Sequence, residues 1–149
     1  MKIDETLARF GHRNWVCVVD AAFPEMVAPG VSMISGTTIE EVWAAIERAP
    51  HVKGEVFLDA ELDALDDRLA PGSEAIRTSL EFLFAPTPIT KLPHDEIIQM
   101  IDNAAQTFKV LVVKTDCLIP YTSAFIRLDC GYWDATSENQ LRTRLSALQ

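Results

Sequence analysis

Apolar residues along the chain fall into two rhythms, and their alternation predicts the fold. Trp15–Val19, Val110–Val113 and Ala124–Leu128 are unbroken runs of β-prone, mostly apolar residues. Such runs belong to strands covered on both faces, so all three are expected inside a sheet and away from its edges. Between them the apolar positions recur at helical spacing. Leu7 and Phe10 mark a short first helix that Asp4 caps and Gly11 stops. Thr38 and Glu41 form a T-x-x-E capping box for a helix running to about Ala49, with Ile39, Val42 and Ile46 inward.

Glu55–Leu58 reads as a short strand, followed by a helix on Leu62, Leu65 and Leu69 that Pro71-Gly72 ends. Ser73 caps the next helix, with Ile76, Leu80, Leu83 and Phe84 inward. Ile89–Leu92 is a strand candidate, and Pro93 introduces a helix on Ile97, Ile98, Ile101 and Ala105. Ser137 starts a terminal helix carrying Leu141, Leu145 and Leu148. The stretch from Asp20 to Gly36, broken by Pro24, Pro29 and Gly30, reads as loop. Helices alternating with apolar strands make the class α/β, a single domain over residues 1–149 with a largely parallel sheet flanked by helices.

Composition narrows the function. Hydrophobic residues make up 48% and charged residues 23%, ordinary for a globular chain. A net charge of −9 argues against nucleic acid or an anionic membrane as partner. No apolar stretch approaches the roughly 20 residues that span a bilayer. MKIDETLARF, with two acids and no long apolar core, does not read as a signal peptide, so a cytoplasmic location is expected. Cys17, Cys117 and Cys130 are odd in number and widely spaced, which fits reduced thiols. No CxxC, HExxH, GxGxxG or GxxxxGK[ST] motif is present, so no metal and no cofactor is expected.

The candidate chemistry lies at strand ends. His12 precedes the first apolar run and Asp20 closes it; His94 follows the strand at Ile89–Leu92; Val110–Val113 leads into Lys114-Thr115-Asp116 and then Pro120-Tyr121-Thr122-Ser123. Two histidines, a tyrosine and carboxylates are the groups an enzyme uses to move protons without a metal. Each has a blander reading. His12 suits a helix C-terminus, His94 a first helical turn, Tyr121 simple packing, and nothing near His51 recommends it.

These same residues carry a resemblance. LARFGHRNWVCVVDAAFP is similar to the N-terminal signature of the D-ribose pyranase and L-fucose mutarotase family: a Gly-His pair, a strand, then Asp-Ala and a proline. His12 and Asp20 keep the signature's eight-position spacing. VLVVKTDCLIPYTSAFIRLDCGYW resembles the family's closing segment, with Tyr121 and Gly131 at its tyrosine and glycine, and GTTIEEVWAAI sits where the family has its first long helix. The resemblance spans roughly residues 5 to 133. It implies a cofactor-independent isomerase that interconverts anomers or ring forms of a free sugar, such as fucose or ribose, through the open chain.

In that reading His12 and Tyr121 transfer protons, while Asp20, His94, Asp116, Thr122 and Ser123 bind the sugar. It also implies a homo-oligomer, a decamer in well-described members, with sites at subunit contacts. The chain departs from the family's pattern at several points. A Gly-Glu turn becomes Thr115-Asp116, and the asparagine of Tyr-x-Asn becomes Ser123. A basic residue after Pro24 is missing, and the terminal helix runs past the usual end. Two other readings stay open: a sugar-binding or regulatory module that lost turnover, and an unrelated small α/β enzyme. Because a straight five- or six-residue strand reaches about 17–20 Å, His12 and Asp20 share a cleft only under one of three conditions. Either His12 reaches over the strand edge, or the Asp20 loop curls back, or a neighbouring subunit supplies half the site, the arrangement the resemblance favours.

Overall fold

The computed structural model describes residues 2–149 of the chain. Its strands are β1 (Trp15–Val19), β2 (Val31–Ser35), β3 (Val52–Asp59), β4 (Ile89–Leu92), β5 (Val110–Lys114) and β6 (Ala124–Cys130). They form one six-stranded sheet in the order β2-β5-β1-β6-β3-β4. The three mostly apolar runs occupy adjacent interior places, as their composition requires. All pairings are parallel except those of β6, which runs antiparallel to β1 on one side and β3 on the other.

Period-2 alternation divides the core. Val16, Val18, Leu111, Val113, Ala124, Ile126 and Leu128 face α1 (Lys2–Arg9), α2 (Ile39–Arg48) and α3 (Ser73–Phe84). Trp15, Cys17, Val19, Phe57, Val110, Val112 and Phe125 face α4 (His94–Ala104) and Phe23. α2 starts with the capping box its sequence predicts: the Glu41 amide donates to Thr38 Oγ1 at 3.1 Å and the Thr38 amide to Glu41 Oε1 at 3.2 Å. His51 is structural, its Nε2 lying 2.9 Å from Leu7 O and 3.0 Å from Phe10 O at the end of α1. All three cysteines are free thiols, and burial pushes the Cys17 pKa well above the usual thiol range.

Several local expectations give way. The stretch from Asp20 to Gly36 contains β2, an edge strand of half-buried residues paired with β5. Gly30 leads into it so close to the end of α4 that a Cβ there would lie 2.2 Å from Phe108 O. The leucines at 62, 65 and 69 do not share a helix. A 3₁₀ turn covers Ala60–Ala64, and Leu69 is 72% exposed. Two carboxylates explain this, since side-chain acceptors compete with helical carbonyls for backbone donors. Asp66 Oδ1 accepts from the amides of Arg68 and Leu69 (3.1 and 2.9 Å), and Asp67 Oδ1 from those of Gly72 and Glu74 (3.1 and 3.2 Å).

At the start of α3, Gly72 occupies the cap position with φ of 90°, and the Ser73 hydroxyl is buried without a partner instead of capping. Asp4 sits within the first turn of α1 and accepts from Arg48 at 3.0 Å. The terminal helix α5 (Ala135–Ala147) begins earlier than Ser137, capped by Asp134, and buries none of its residues.

Ile126, fully buried between Val16 and Val56 on the two neighbouring strands, sits where a cavity cannot easily collapse. Ile126→Ala is expected to cost about 2–5 kcal/mol. Leu145→Ala on exposed α5 should stay within about 0.5 kcal/mol. Urea denaturation of the two variants against the parent measures both.

Candidate functional site

The reversal of β6 decides where the polar loops meet. Ala124, its first residue, pairs with Val18 near the end of β1 and with Leu58 near the end of β3. Residues 115–123 therefore arrive beside the C-terminal ends of the parallel strands, the edge at which open α/β sheets build ligand sites. Thr115 fastens the loop, its amide donating to Val19 O at 3.0 Å and its hydroxyl to the same oxygen at 2.8 Å. The Ala21 amide donates to Cys117 O at 2.8 Å, so the loops after β1 and β5 hold each other. Tyr121 takes a left-handed backbone, φ 61°, uncommon for a non-glycine residue and a sign that the surrounding contacts fix it.

Asp20, His94, Tyr121, Thr122 and Ser123 are gathered along this edge. Ser123, only 2% exposed, is committed to Asp20: its Oγ accepts from the Asp20 amide at 3.3 Å and approaches Asp20 Oδ1 at 3.4 Å. Thr122 Oγ1 donates to Ile119 O at 2.8 Å. Asp116 lines an adjoining cleft of about 780 Å³ with Asp20, Thr122, Lys114 and residues 35–40, floored toward α3 by Ile76 and Leu80. Lys114 is partly occupied, its Nζ donating to Phe23 O at 2.8 Å.

His94 is the most constrained group of the set. Its backbone amide, first of α4, donates to both oxygens of Glu61 (2.9 and 3.1 Å), which places a carboxylate where the helix end favours negative charge. Its Nδ1 lies 2.9 Å from Asp59 Oδ1, and its ring meets the Tyr121 ring edge-on, centroids 5.6 Å apart. Asp59 closes β3, its side chain fully buried and its Oδ2 without a partner. Burial drives its pKa up to about 6, with the charges of Glu61 and Asp20 adding to the rise and the hydrogen bond and charge of His94 opposing it.

Asp59 and Glu61 were not among the residues the sequence singled out, although VFLD ends as VCVVD does, with an aspartate closing an apolar run.

His12 lies at the other end of the sheet. Its Nδ1 is 2.8 Å from Asp129 Oδ1, its side chain is 56% exposed, and it borders a cleft of about 490 Å³ with Trp15, Met100, Phe108 and Arg127. The Arg127 guanidinium is held by both Glu55 oxygens (3.2 and 3.1 Å) and lies over the Trp15 and Phe57 rings. The five residues of β1 separate His12 from Asp20 by about 17 Å of strand, so one chain does not bring the two together. Among the described residues, no group of three or more His, Cys, Asp or Glu is placed to hold a metal ion. Nor is any helix among them long and apolar enough to cross a membrane.

This architecture has precedents. The chain superposes on Bacillus subtilis RbsD complexed with D-ribose with a TM-score of 0.60 and 20% identity, covering 86% of this chain and 91% of that one. The fold is that of the ribose- and fucose-bound proteins. The fucose mutarotase from Streptococcus pneumoniae in complex with L-fucose aligns with a TM-score of 0.56 and 17% identity over 84% of this chain and 89% of that one. FucU from Bifidobacterium longum gives 0.53 and 14% over 86% and 93%. No protein-family model matches the chain, and no curated protein matches its sequence.

The raised Asp59 pKa makes stability depend on pH. In the native state the carboxyl keeps its proton up to about pH 6, whereas the unfolded chain loses it near the ordinary value of 3.8. Its effect on native stability is therefore most favourable below pH 4 and declines as pH rises from about 4 through 6. Asp59→Asn removes this dependence. Thermal unfolding from pH 4 to 7 should show the variant's Tm rising relative to the parent across that interval and levelling above it.

Proposed function

We propose that this protein is a cofactor-independent monosaccharide isomerase of the mutarotase and pyranase type. One observation carries the reading: Asp20, Asp59, His94 and Tyr121 converge on one edge of a fold shared with proteins whose structures hold D-ribose and L-fucose. Ring opening requires a proton to leave the anomeric hydroxyl and another to reach the ring oxygen; closing reverses both steps. Imidazole and phenol groups can serve these transfers, and carboxylates accept hydrogen bonds from sugar hydroxyls. The crowding of Asp20, Asp59 and Glu61 favours a neutral free sugar over a phosphorylated one, since a further anion there would be repelled.

His12 and Tyr121 are assigned the proton transfers, with Asp20, His94, Asp116, Thr122 and Ser123 around the sugar. His12 reaches that sugar only from a neighbouring copy, because its own chain holds it at the far end of β1. The active form is accordingly a homo-oligomer, a decameric ring in the arrangement the resemblance implies, working in the cytoplasm. The alternative is a sugar-binding module without turnover. Ser123 in place of the asparagine and Thr115-Asp116 in place of the Gly-Glu turn favour it, since both alter groups at the edge where the sugar would sit.

Exchange NMR on a panel of monosaccharides separates the two. Accelerated anomer or ring-form exchange supports the isomerase, binding without acceleration supports the module, and neither response removes a sugar function. For an isomerase, His12→Ala and Tyr121→Phe should each slow exchange by about 10²-fold or more with the fold intact. Subunit mixtures of the two variants should regain part of the activity, as required if the groups come from different chains. Mixtures that stay inactive would confine both groups to one chain.

A further inference from the structure

The Asp59–His94 pair is built more tightly than sugar binding alone requires. A histidine that only lends a hydrogen bond to a ligand needs no buried partner, yet four neighbours fix this one. Glu61 of the 3₁₀ turn holds its amide, Asp59 at the end of β3 holds Nδ1, and Tyr121 and Phe125 bound the ring, centroids 5.6 and 6.2 Å away. Asp59 is sealed from solvent with one oxygen on the imidazole and the other unpartnered, an arrangement that costs stability and calls for a reason. The His94 side chain nevertheless keeps 28% exposure, so solvent reaches the ring although its Nδ1 partner is closed off.

We infer that Asp59 is a positioning residue that makes His94 a proton-transferring group for the sugar, and not only a group that binds it. The inference rests on the isomerase reading and revises one assignment within it: the anomeric proton goes to His94, and His12 of a neighbouring copy holds the sugar instead of taking that proton. With Asp59 ionised, Nδ1–H donates to Oδ1, and the lone pair of the neutral imidazole is left at Nε2. Nε2 accepts the proton of the anomeric hydroxyl, and the electron pair of that O–H bond becomes the second bond of the carbonyl. The bond from the anomeric carbon to the ring oxygen breaks, and the ring oxygen takes a proton from the Tyr121 phenol. Recyclisation returns the proton of His94 to the new anomeric oxygen and restores the Tyr121 hydroxyl, leaving the protein unchanged.

Asp59 also stabilises the imidazolium while the sugar is open. The titratable groups that face this pair are Glu61, Asp20 and Tyr121, all on different elements.

The test combines Asp59→Asn with the imidazole nitrogen signals of His94. In the parent protein the neutral ring is expected as the Nδ1–H tautomer, and in Asp59→Asn as a mixture or the other tautomer. The variant should slow L-fucose or D-ribose exchange by about 10- to 100-fold, with the sugar's apparent affinity changed less than about threefold. The pH profile of exchange should lose its inflection near pH 6, the Asp59 value. An unchanged rate and profile, or an Nε2–H tautomer in the parent, overturns the inference. Should Asp59→Asn fail to fold, the parent tautomer decides alone. If the parent protein accelerates no sugar, the isomerase reading falls on that result, and the tautomer still decides whether Asp59 orients the ring.

Discussion

Everything at both ends of the sheet depends on the reversed insertion of β6 between β1 and β3. The strand pairs on both sides, so its backbone groups have ladder partners, and its alternate side chains feed both halves of the core. The reversal also carries the chain's polar residues to the two edges. The residues before β6, Tyr121 to Ser123, reach the carboxyl ends of β1 and β3. Those near its end, Arg127 and Asp129, land at the opposite edge, where they engage Glu55 and His12. A parallel strand in the same slot would have exchanged the two sets and separated Tyr121 from His94.

The consequence is a molecule with two polar ends of different character. At one, an imidazole is enclosed by carboxylates and an aromatic ring, with a buried acid beneath it. At the other, a largely exposed imidazole pairs with a surface carboxylate beside a guanidinium stacked on two rings. At the first the acid is sealed from solvent, so its charge is poorly screened; the second is screened by water and contributes little by itself to stability. A site that needs both ends has to be assembled from two molecules.

Much of this was legible in the sequence because of how burial constrains residue choice. Trp15–Val19 and Val110–Val113 could only be interior strands, since no solvent-facing strand tolerates such runs, and Thr38 with Glu41 announced its helix through local chemistry alone. The direction of β6 was not legible, because an apolar run reads the same whichever way the strand points. The leucines at 62, 65 and 69 suggested a helix that Asp66 and Asp67 dismantle by taking backbone donors into their side chains. β2 escaped notice because an edge strand keeps only half its residues covered. Asp59 escaped for a different reason: its meaning comes from His94, thirty-five positions away, and only the packing of α4 beside the end of β3 joins them.

The strand order also bears on how the molecule comes into being. During synthesis β1, β2 and β5 can pair among themselves and β3 with β4, yet the two groups share no ladder until residues 124–130 emerge from the ribosome. Until then β1 and β3 each expose an unpaired edge, the kind that recruits foreign strands. Made after the other five strands, β6 thus closes the sheet and brings Tyr121 beside His94 in one step, so that a nascent chain has no half-built version of this edge to offer.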